Sequence, residues 1–417
     1  MDFPWNLEQR AVLELFEVSK AGTKPMYCRV DGPAASGKSA LIQEIAARAR
    51  AYYGSAESVM VVAPTHTAAD AVGGRTMHSA LWLPFEPPLD TLEDPLPLGL
   101  DAVRLLIIDN ANQAHPWVLN GIDTRFRVGC SSSERRRVYS GPRFPRLRRP
   151  AAFANDTMLL MLQAHDGDGQ WFGGRSTFVF EDGASLDPPP PQSFHPDYWT
   201  VAITKSFPTR ITLRTTYFND ASFGAAMARL ERGVVSPEDR ARFEDRCLLN
   251  MEPAQRARWA DAPRVYAGNV DADMFTDVYS NDHPPPAVGA RSYSRASRQG
   301  PSNVTLWPGA PVILTTAVPG VAEAGTQGVV SSLADQSVGV QLGAGEDLVT
   351  ITLTEPLPLA APQGYTLPRA MGLRFDKVIV VLPERRWGGD RFQYAAVSRA
   401  KGWESIAFSD IVPSMED

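Results

Sequence analysis

The sequence predicts an α/β fold: a parallel sheet covered on both faces by helices, joined to a smaller all-β insert. Three observations predict it. Apolar runs such as Val59 to Ala63 and Val103 to Asp109 alternate with helical patterns through the first 128 residues, as strands buried on both faces require. A glycine-rich loop, Gly32 to Ser39, lies between a short strand and a strong helix. Four short β-like runs punctuated by glycine crowd the region from about 305 to 360.

Taken in order, Leu7 to Val18 has helical spacing, Pro25 to Val30 forms a strand and Ala40 to Ala51 a helix. The strands Val59 to Ala63 and Val103 to Asp109 follow. From Gly129 to about Gln170 the pattern breaks into Ser, Arg and Pro around a helical patch at Asp156 to Ala164. This 129–170 insertion carries Arg135, Arg136, Arg137, Arg143, Arg146, Arg148 and Arg149, with Tyr139, Phe144 and Phe153 nearby. It fits either a nucleic-acid patch or a solvated loop. A strand resumes at Ser176 to Phe180, and a second α/β segment starts near Thr200. That segment holds helices at Ser222 to Arg232 and from Pro237, and the strand Arg264 to Ala267. Pro, Ser and Arg between Asn281 and Asn303 predict a linker. The β-like runs are Pro311 to Thr316, Gly325 to Ser332, Ser337 to Leu342 and Leu348 to Thr354. Lys377 to Leu382 and Arg391 to Lys401 then return to strand and helix.

A chain of 417 residues accommodates two or three domains, each with its own core. With 44% hydrophobic and 21% charged residues the composition is globular, and no apolar run approaches the roughly 20 residues that span a bilayer. No targeting peptide is visible at Met1 to Trp5, so the expected location is intracellular, in nucleus or cytoplasm. Cys28, Cys130 and Cys247 are far apart and odd in number, which points to reduced thiols rather than a disulfide framework or metal cluster. A net charge of −6 gives no global attraction to a phosphate backbone, so nucleic-acid binding requires local basic patches.

Gly32-Pro33-Ala34-Ala35-Ser36-Gly37-Lys38-Ser39 satisfies G-x-x-x-x-G-K-[ST] in the required strand–loop–helix context. Small residues let successive backbone N–H groups from Gly32, Ala35, Ser36 and Gly37 wrap phosphates. Lys38 brings a point charge to the β/γ oxygens, and Ser39 is suited to hold Mg²⁺. The ligand implied is ATP with Mg²⁺. Such a loop needs a carboxylate at the end of a neighbouring strand, and Leu105-Leu106-Ile107-Ile108-Asp109 supplies one.

Asn6-Leu7-Glu8-Gln9 resembles the adenine-reading Q motif of helicases. Ala63-Pro64-Thr65-His66-Thr67-Ala68-Ala69 with Gly73-Gly74-Arg75-Thr76-Met77-His78-Ser79 resembles motif Ia of the Pif/RecD-like branch of superfamily 1B DNA helicases. Further matches follow in order: Ile122 to Arg125, Trp171 to Gly174, Tyr266 to Val270, and Tyr394 to Lys401, which is similar to motif VI. The β-rich region, with Trp307 to Val312 and Gly325 to Val329, resembles the SH3-like insertion of these helicases. The resemblance covers nearly the whole chain apart from 129–170. It implies two RecA-like P-loop NTPase domains, at 1–200 and 201–417, the second with an SH3-like β insert at about 305–360. It further implies ATP-dependent 5′ to 3′ translocation on single-stranded DNA, with RNA as an option. Gln9 would meet the adenine and Arg399 the γ-phosphate. Pro64, Thr65, His66, Thr76, His78 and Arg369 would meet the strand, although the Thr and His side chains also suit turn caps.

The same comparison shows departures. The general base expected after Asp109 is Asn110, and an amide cannot accept the water's proton. In the third motif the γ-phosphate-sensing Gln has become Ser185, within Glu181-Asp182-Gly183-Ala184-Ser185. The motif IV arginine is missing from Tyr217-Phe218-Asn219, and Pro368-Arg369-Ala370-Met371-Gly372 keeps only a basic residue and the closing Gly of motif V. Glu181 and Asp182 are the acidic residues available as a substitute base. The expected function is an ATP-dependent helicase with weak or lost hydrolysis. The alternative is an inactive pseudo-helicase that binds nucleotide or nucleic acid, or serves as an assembly subunit.

Overall fold

The structure is a computed structural model. It describes residues 4–22, 24–83, 99–114, 116–129, 171–183, 207–267, 272, 274–275, 285–286, 288–297, 300–314, 326–334, 337–342, 348–352, 359–360, 364–383, 389–411 and 413. Cys130, Ser185, the seven clustered arginines and the expected helix at Asp156 to Ala164 lie outside these residues.

Asn6 starts α1 (Leu7–Ala21) through a capping box in which its side chain accepts from the Gln9 amide and the Gln9 side chain accepts from the Asn6 amide, satisfying two otherwise orphaned donors. The strands β1 (Tyr27–Asp31), β2 (Val59–Ala63), β3 (Arg75–Thr76), β4 (Leu105–Ile108), β5 (Ser176–Glu181) and β6 (Thr209–Thr212) form a six-stranded sheet in the order β3-β2-β4-β5-β1-β6. Every pairing is parallel. All residues of β4 and β5 are buried, the physical reason β4 reads Leu-Leu-Ile-Ile without alternation. On one face Cys28 and Val30 pack with Val12, Leu13 and Phe16 of α1 and with Leu41, Ile42 and Ile45 of α2 (Lys38–Tyr53). On the other, Leu106, Ile108 and Val179 pack with Met77 of α4 (Met77–Leu81) and with Leu119, Ile122 and Phe126 of α5 (Pro116–Gly129). Between β2 and β3 lies α3 (His66–Ala71). The sheet extends past residue 200, because β6 pairs with β1 from Cys28↔Thr209 to Asp31↔Thr212.

A second parallel sheet has the order β15-β7-β16-β17, built from β7 (Arg264–Tyr266), β15 (Gly364–Thr366), β16 (Val378–Val380) and β17 (Ile406–Phe408). Around it lie α6 (Ala221–Leu230), α7 (Pro237–Asp245), α8 (Pro253–Ala257), α9 (Leu367–Ala370) and α10 (Gly389–Val397). Their core joins Phe223, Phe243, Val265, Phe375, Val380, Tyr394 and Phe408, and it also takes in Ala34 of the phosphate loop.

The linker expected over 281–303 is corrected in part: β8 (Arg291–Ser297) and β9 (Gly300–Leu306) form an antiparallel hairpin. Backbone pairing is indifferent to the polar side chains that made this stretch look like a connection. Next come β10 (Pro311–Leu314), β11 (Gln327–Leu333), β12 (Ser337–Leu342), β13 (Leu348–Thr352) and β14 (Leu359–Ala360). They make a five-stranded sheet in the order β13-β12-β11-β10-β14 over a core of Leu306, Val312, Leu314, Val338, Val340 and Ile351. Among the described residues no helix is long and apolar enough to cross a membrane.

Candidate nucleotide site and nucleic-acid face

Parallel order places the ends of β1, β5 and β4 side by side, so the phosphate loop, Asp182 and Asp109 share one edge of the sheet. Ligands of open α/β sheets bind at this carboxyl edge. The loop is held from both sides: Gly32 N donates to Glu181 O at 3.1 Å and Tyr217 N to Ala35 O at 2.8 Å. Gly37 takes φ +86° at the start of α2, and a Cβ there would stand 2.6 Å from Gln9 Nε2, so only glycine fits. Ala35 is also left-handed, at φ 59°. Lys38 Nζ donates to Gly32 O at 2.6 Å and Pro33 O at 2.7 Å. Burial lowers its pKa and Arg399 adds to this, while Asp182, Asp109 and Glu231 oppose it. Ser39, at the first turn of α2, is exposed. Ser36 Oγ is buried and has no hydrogen-bond partner among the described residues. An orphaned hydroxyl inside a glycine-rich cradle, a lysine and an adjacent carboxylate form a donor set that fits a polyphosphate with a divalent cation.

Asp109 is buried, and its backbone amide donates to Val62 O at 2.8 Å. Burial pushes its carboxyl up to about 6, against the lowering charge of Lys38. Asn110 is left-handed at φ 49°, and its Nδ2 donates to Asp109 Oδ2 at 3.1 Å. The residue at the expected base position is thus an amide that donates to the Asp109 carboxylate. Glu181, the last residue of β5, and Asp182, which follows it, have separate fates. Glu181 pairs with Arg29 at 2.7 Å, beside Asp31 and its partner Arg210. Burial raises Glu181 to about 7; Arg29 opposes the rise and Asp31 adds to it. Asp182 instead faces the cleft: its charge acts on Lys38, Arg399, Tyr394 and Glu231.

From the second sheet, Arg399 is buried just beyond α10, with Nε donating to Ala395 O at 3.0 Å and Nη2 to Ser398 Oγ at 2.8 Å. Burial lowers its pKa; Asp182 and Tyr394 oppose this, and Arg374 adds to it. Tyr394 bridges the cleft. Its hydroxyl accepts from Ala34 N at 2.8 Å and donates to Asp182 Oδ2 at 3.4 Å. Met371, within the stretch matched to motif V, is buried in the second core and serves packing. Phe218 packs edge-on against Phe223, with centroids 5.4 Å apart.

Gln9 is fully buried: Nε2 donates to Ser36 O at 3.1 Å, and Oε1 accepts from Asn6 N at 3.1 Å and Tyr217 OH at 3.4 Å. The half-exposed Tyr217 ring is the aromatic surface next to it. On the expected strand face, Thr65 caps α3 by accepting from Ala68 N, and Thr76 caps α4 by accepting from Ser79 N. Pro64 and His78 are half-buried, and His66 is the first residue of α3. Arg369 is exposed, and its carbonyl accepts from Thr67 Oγ1 at 3.2 Å. Motif-by-motif comparison missed Tyr217, Glu231 and the bridging role of Tyr394. Tyr217 and Tyr394 lay inside quoted motifs, but their roles depend on contacts more than 200 and 350 positions away in sequence.

A phosphate loop on a six-stranded parallel sheet, faced by a buried arginine from a second parallel sheet, defines a two-part P-loop NTPase fold. Comparison with solved structures shows that the fold is similar to that of Pif1 helicases. Pif1 from Bacteroides sp in complex with ADP-AlF4 superimposes with a TM-score of 0.65 at 18% identity, covering 99% of this chain and 93% of that one. Pif1 from Candida albicans gives 0.65 at 18% identity, covering 98% and 95%. Bacteroides Pif1 with ADP-AlF3 and single-stranded DNA gives 0.61 at 18% identity, covering 99% and 94%. No family model and no curated protein matches the chain.

Proposed function

We propose that this protein is a helicase-like ATP-binding protein that engages single-stranded DNA, or RNA, and hydrolyses its nucleotide slowly or not at all. The observation that carries the reading is the shared cleft. Lys38 and Asp109 lie on the first sheet's edge and Arg399 on the second sheet's side, with Tyr394 spanning between them. The solved Pif1 structures with ADP-AlF4 and with ADP-AlF3 and single-stranded DNA support it by likeness of fold.

In this reading Gly32, Ala35, Ser36 and Gly37 wrap the phosphates, Lys38 neutralises them, Ser39 and Asp109 hold Mg²⁺, Arg399 approaches the γ-phosphate and Gln9 orders the base end with Tyr217. Mg²⁺ when bound would neutralise charge developing on the terminal phosphates. Pro64, Thr65, His66, His78 and Arg369 line the strand's path, whereas Thr76 is buried with its hydroxyl held on Ser79 and serves the α4 cap. The chain divides after β6 into two RecA-like units, with an SH3-like insert at about 305–360. Closure of the cleft on nucleotide and reopening after its loss would move the strand 5′ to 3′. Lys38 must leave the loop carbonyls of Gly32 and Pro33 to meet phosphate. The weak step is proton removal from water, because Asn110 accepts no proton and its amide is turned to Asp109. Losing a positioned base costs on the order of 10² to 10⁴ in rate.

A DNA-stimulated phosphate-release assay with Lys38→Ala as control tests this. The expected result is nucleotide binding with turnover well below about 1 s⁻¹, raised by Asn110→Glu. Turnover above that rate, abolished by Lys38→Ala, would overturn the slow-hydrolysis reading. Absence of nucleotide binding would overturn the ATP reading.

A further inference from the structure

We infer that Arg374 supplies a second guanidinium to the terminal phosphate of the bound nucleotide, taking over from the arginine expected where Phe218 stands. The inference rests on the nucleotide reading above.

Phe218 does more than lose a charge. One side of its ring meets Phe223, and Arg374 lies over the ring with Cζ 5.2 Å from the centroid, within the range of a cation–π contact. The charge absent from position 218 is therefore present on that residue's own ring, delivered from a different segment. Arg374 is also fixed to the turn that carries Arg399: its Nη2 donates to Ala400 O at 3.4 Å, and the neighbouring Phe375 N donates to Arg399 O at 2.9 Å. Phe375 and Ala400 form a parallel bridge there. The two guanidinium groups are close enough that Arg374 lowers the pKa of Arg399, and Arg399 in turn acts on Lys38.

Arg374 thus sits on Phe218, whose neighbour Tyr217 donates its amide to Ala35 O of the phosphate loop at 2.8 Å, and beside the turn that carries Arg399. Asp182 and Glu231 oppose part of this charge, and Asp109 is committed to the metal side. Holding like charges together in a partly buried cleft is unfavourable in the empty protein and is relieved by an anion. A triphosphate, carrying more charge than a diphosphate and extending one phosphate further, gains most. Arg suits the place better than Lys, because its planar group can stack on Phe218 while leaving an edge for two parallel hydrogen bonds to phosphate oxygens.

The test is titration of the full chain, with Mg²⁺, using a fluorescent non-hydrolysable ATP analogue and fluorescent ADP. Arg374→Gln keeps a planar amide over Phe218 and removes the charge; Arg374→Met, of similar length and apolar, is used in its place if the first variant does not fold. The expected result is a loss of triphosphate affinity of roughly tenfold to a hundredfold, typical of a lost charge-assisted hydrogen bond, with ADP affinity within about twofold of the unaltered chain by the same reasoning. Unchanged triphosphate affinity, or an equal loss for both nucleotides, overturns the assignment, the second outcome marking a structural role. If the unaltered chain binds neither nucleotide, the nucleotide reading fails and this inference with it.

Discussion

Asp109 stands at 4% exposure at the end of a central strand, where burial raises its carboxyl to about 6 despite the nearby ammonium of Lys38. A carboxylate whose folded pKa lies above its unfolded value keeps its proton longer in the folded state, so stability falls as pH rises from about 4 through about 6. The penalty is absent below the unfolded value and full above the folded one. Asp109→Asn is therefore expected to stabilise the metal-free protein at pH 7.5 by about 1–3 kcal/mol, the equivalent of a shift of about two pKa units with allowance for relaxation. It should change little at pH 4. Thermal melts at both pH values check this, and an equal effect at each would mean that packing rather than charge decides. The local phosphate-loop pattern was fully legible because its eight positions are contiguous and their chemistry follows from residue type. Asp182 was legible as an acid but not as the one facing the cleft. Glu181, one residue earlier, points to Arg29 on the other side of the strand, and only the pleat separates the two roles.

Among the elements, the turn after α9 shows how the two sheets are brought together. Gly372 takes φ +90°, and a Cβ there would lie 2.8 Å from Ala68 Cα and from Thr67 O, both in α3. The turn thus packs backbone against backbone across the cleft, beside the hydrogen bond from Thr67 Oγ1 to Arg369 O. Gly372→Ala combines left-handed strain with a clash that no side-chain rotation relieves. It is expected to destabilise the protein by about 1–3 kcal/mol and to weaken nucleotide-dependent protection of the α3 segment. Denaturant melts and hydrogen exchange measure both; loss of stability without loss of protection would confine the turn's role to folding. Elements with clear periodicity, such as α1, α2, β2 and β5, were legible to within a few residues, whereas α5 and the short buried strands β15 and β17 were not. The β8–β9 hairpin was not, because its Ser, Arg and Pro carry no apolar alternation and its order comes from backbone pairing.

Across the whole molecule, ligand binding and stability are linked, since nucleotide bound to a site made by both sheets exists only in the folded chain. At a concentration of about 100 times Kd, nucleotide with Mg²⁺ should stabilise the chain by about 2.7 kcal/mol. Lys38→Ala should abolish that gain, the nucleotide-free melt changing only by the loss of its hydrogen bonds to Gly32 O and Pro33 O. A retained nucleotide-induced shift in the variant would place the ligand elsewhere. By itself the sequence determined the α/β class, the strand–loop–helix around Gly32 to Ser39 and the acid at the end of β4, because these depend on local pattern and residue chemistry. The tertiary structure alone decided that β6 joins the first sheet, that Tyr394 closes on Ala34, and that Arg374 lies on Phe218 beside Arg399. Those are contacts between distant segments, set by how sheets and helices pack, and no local spacing encodes them.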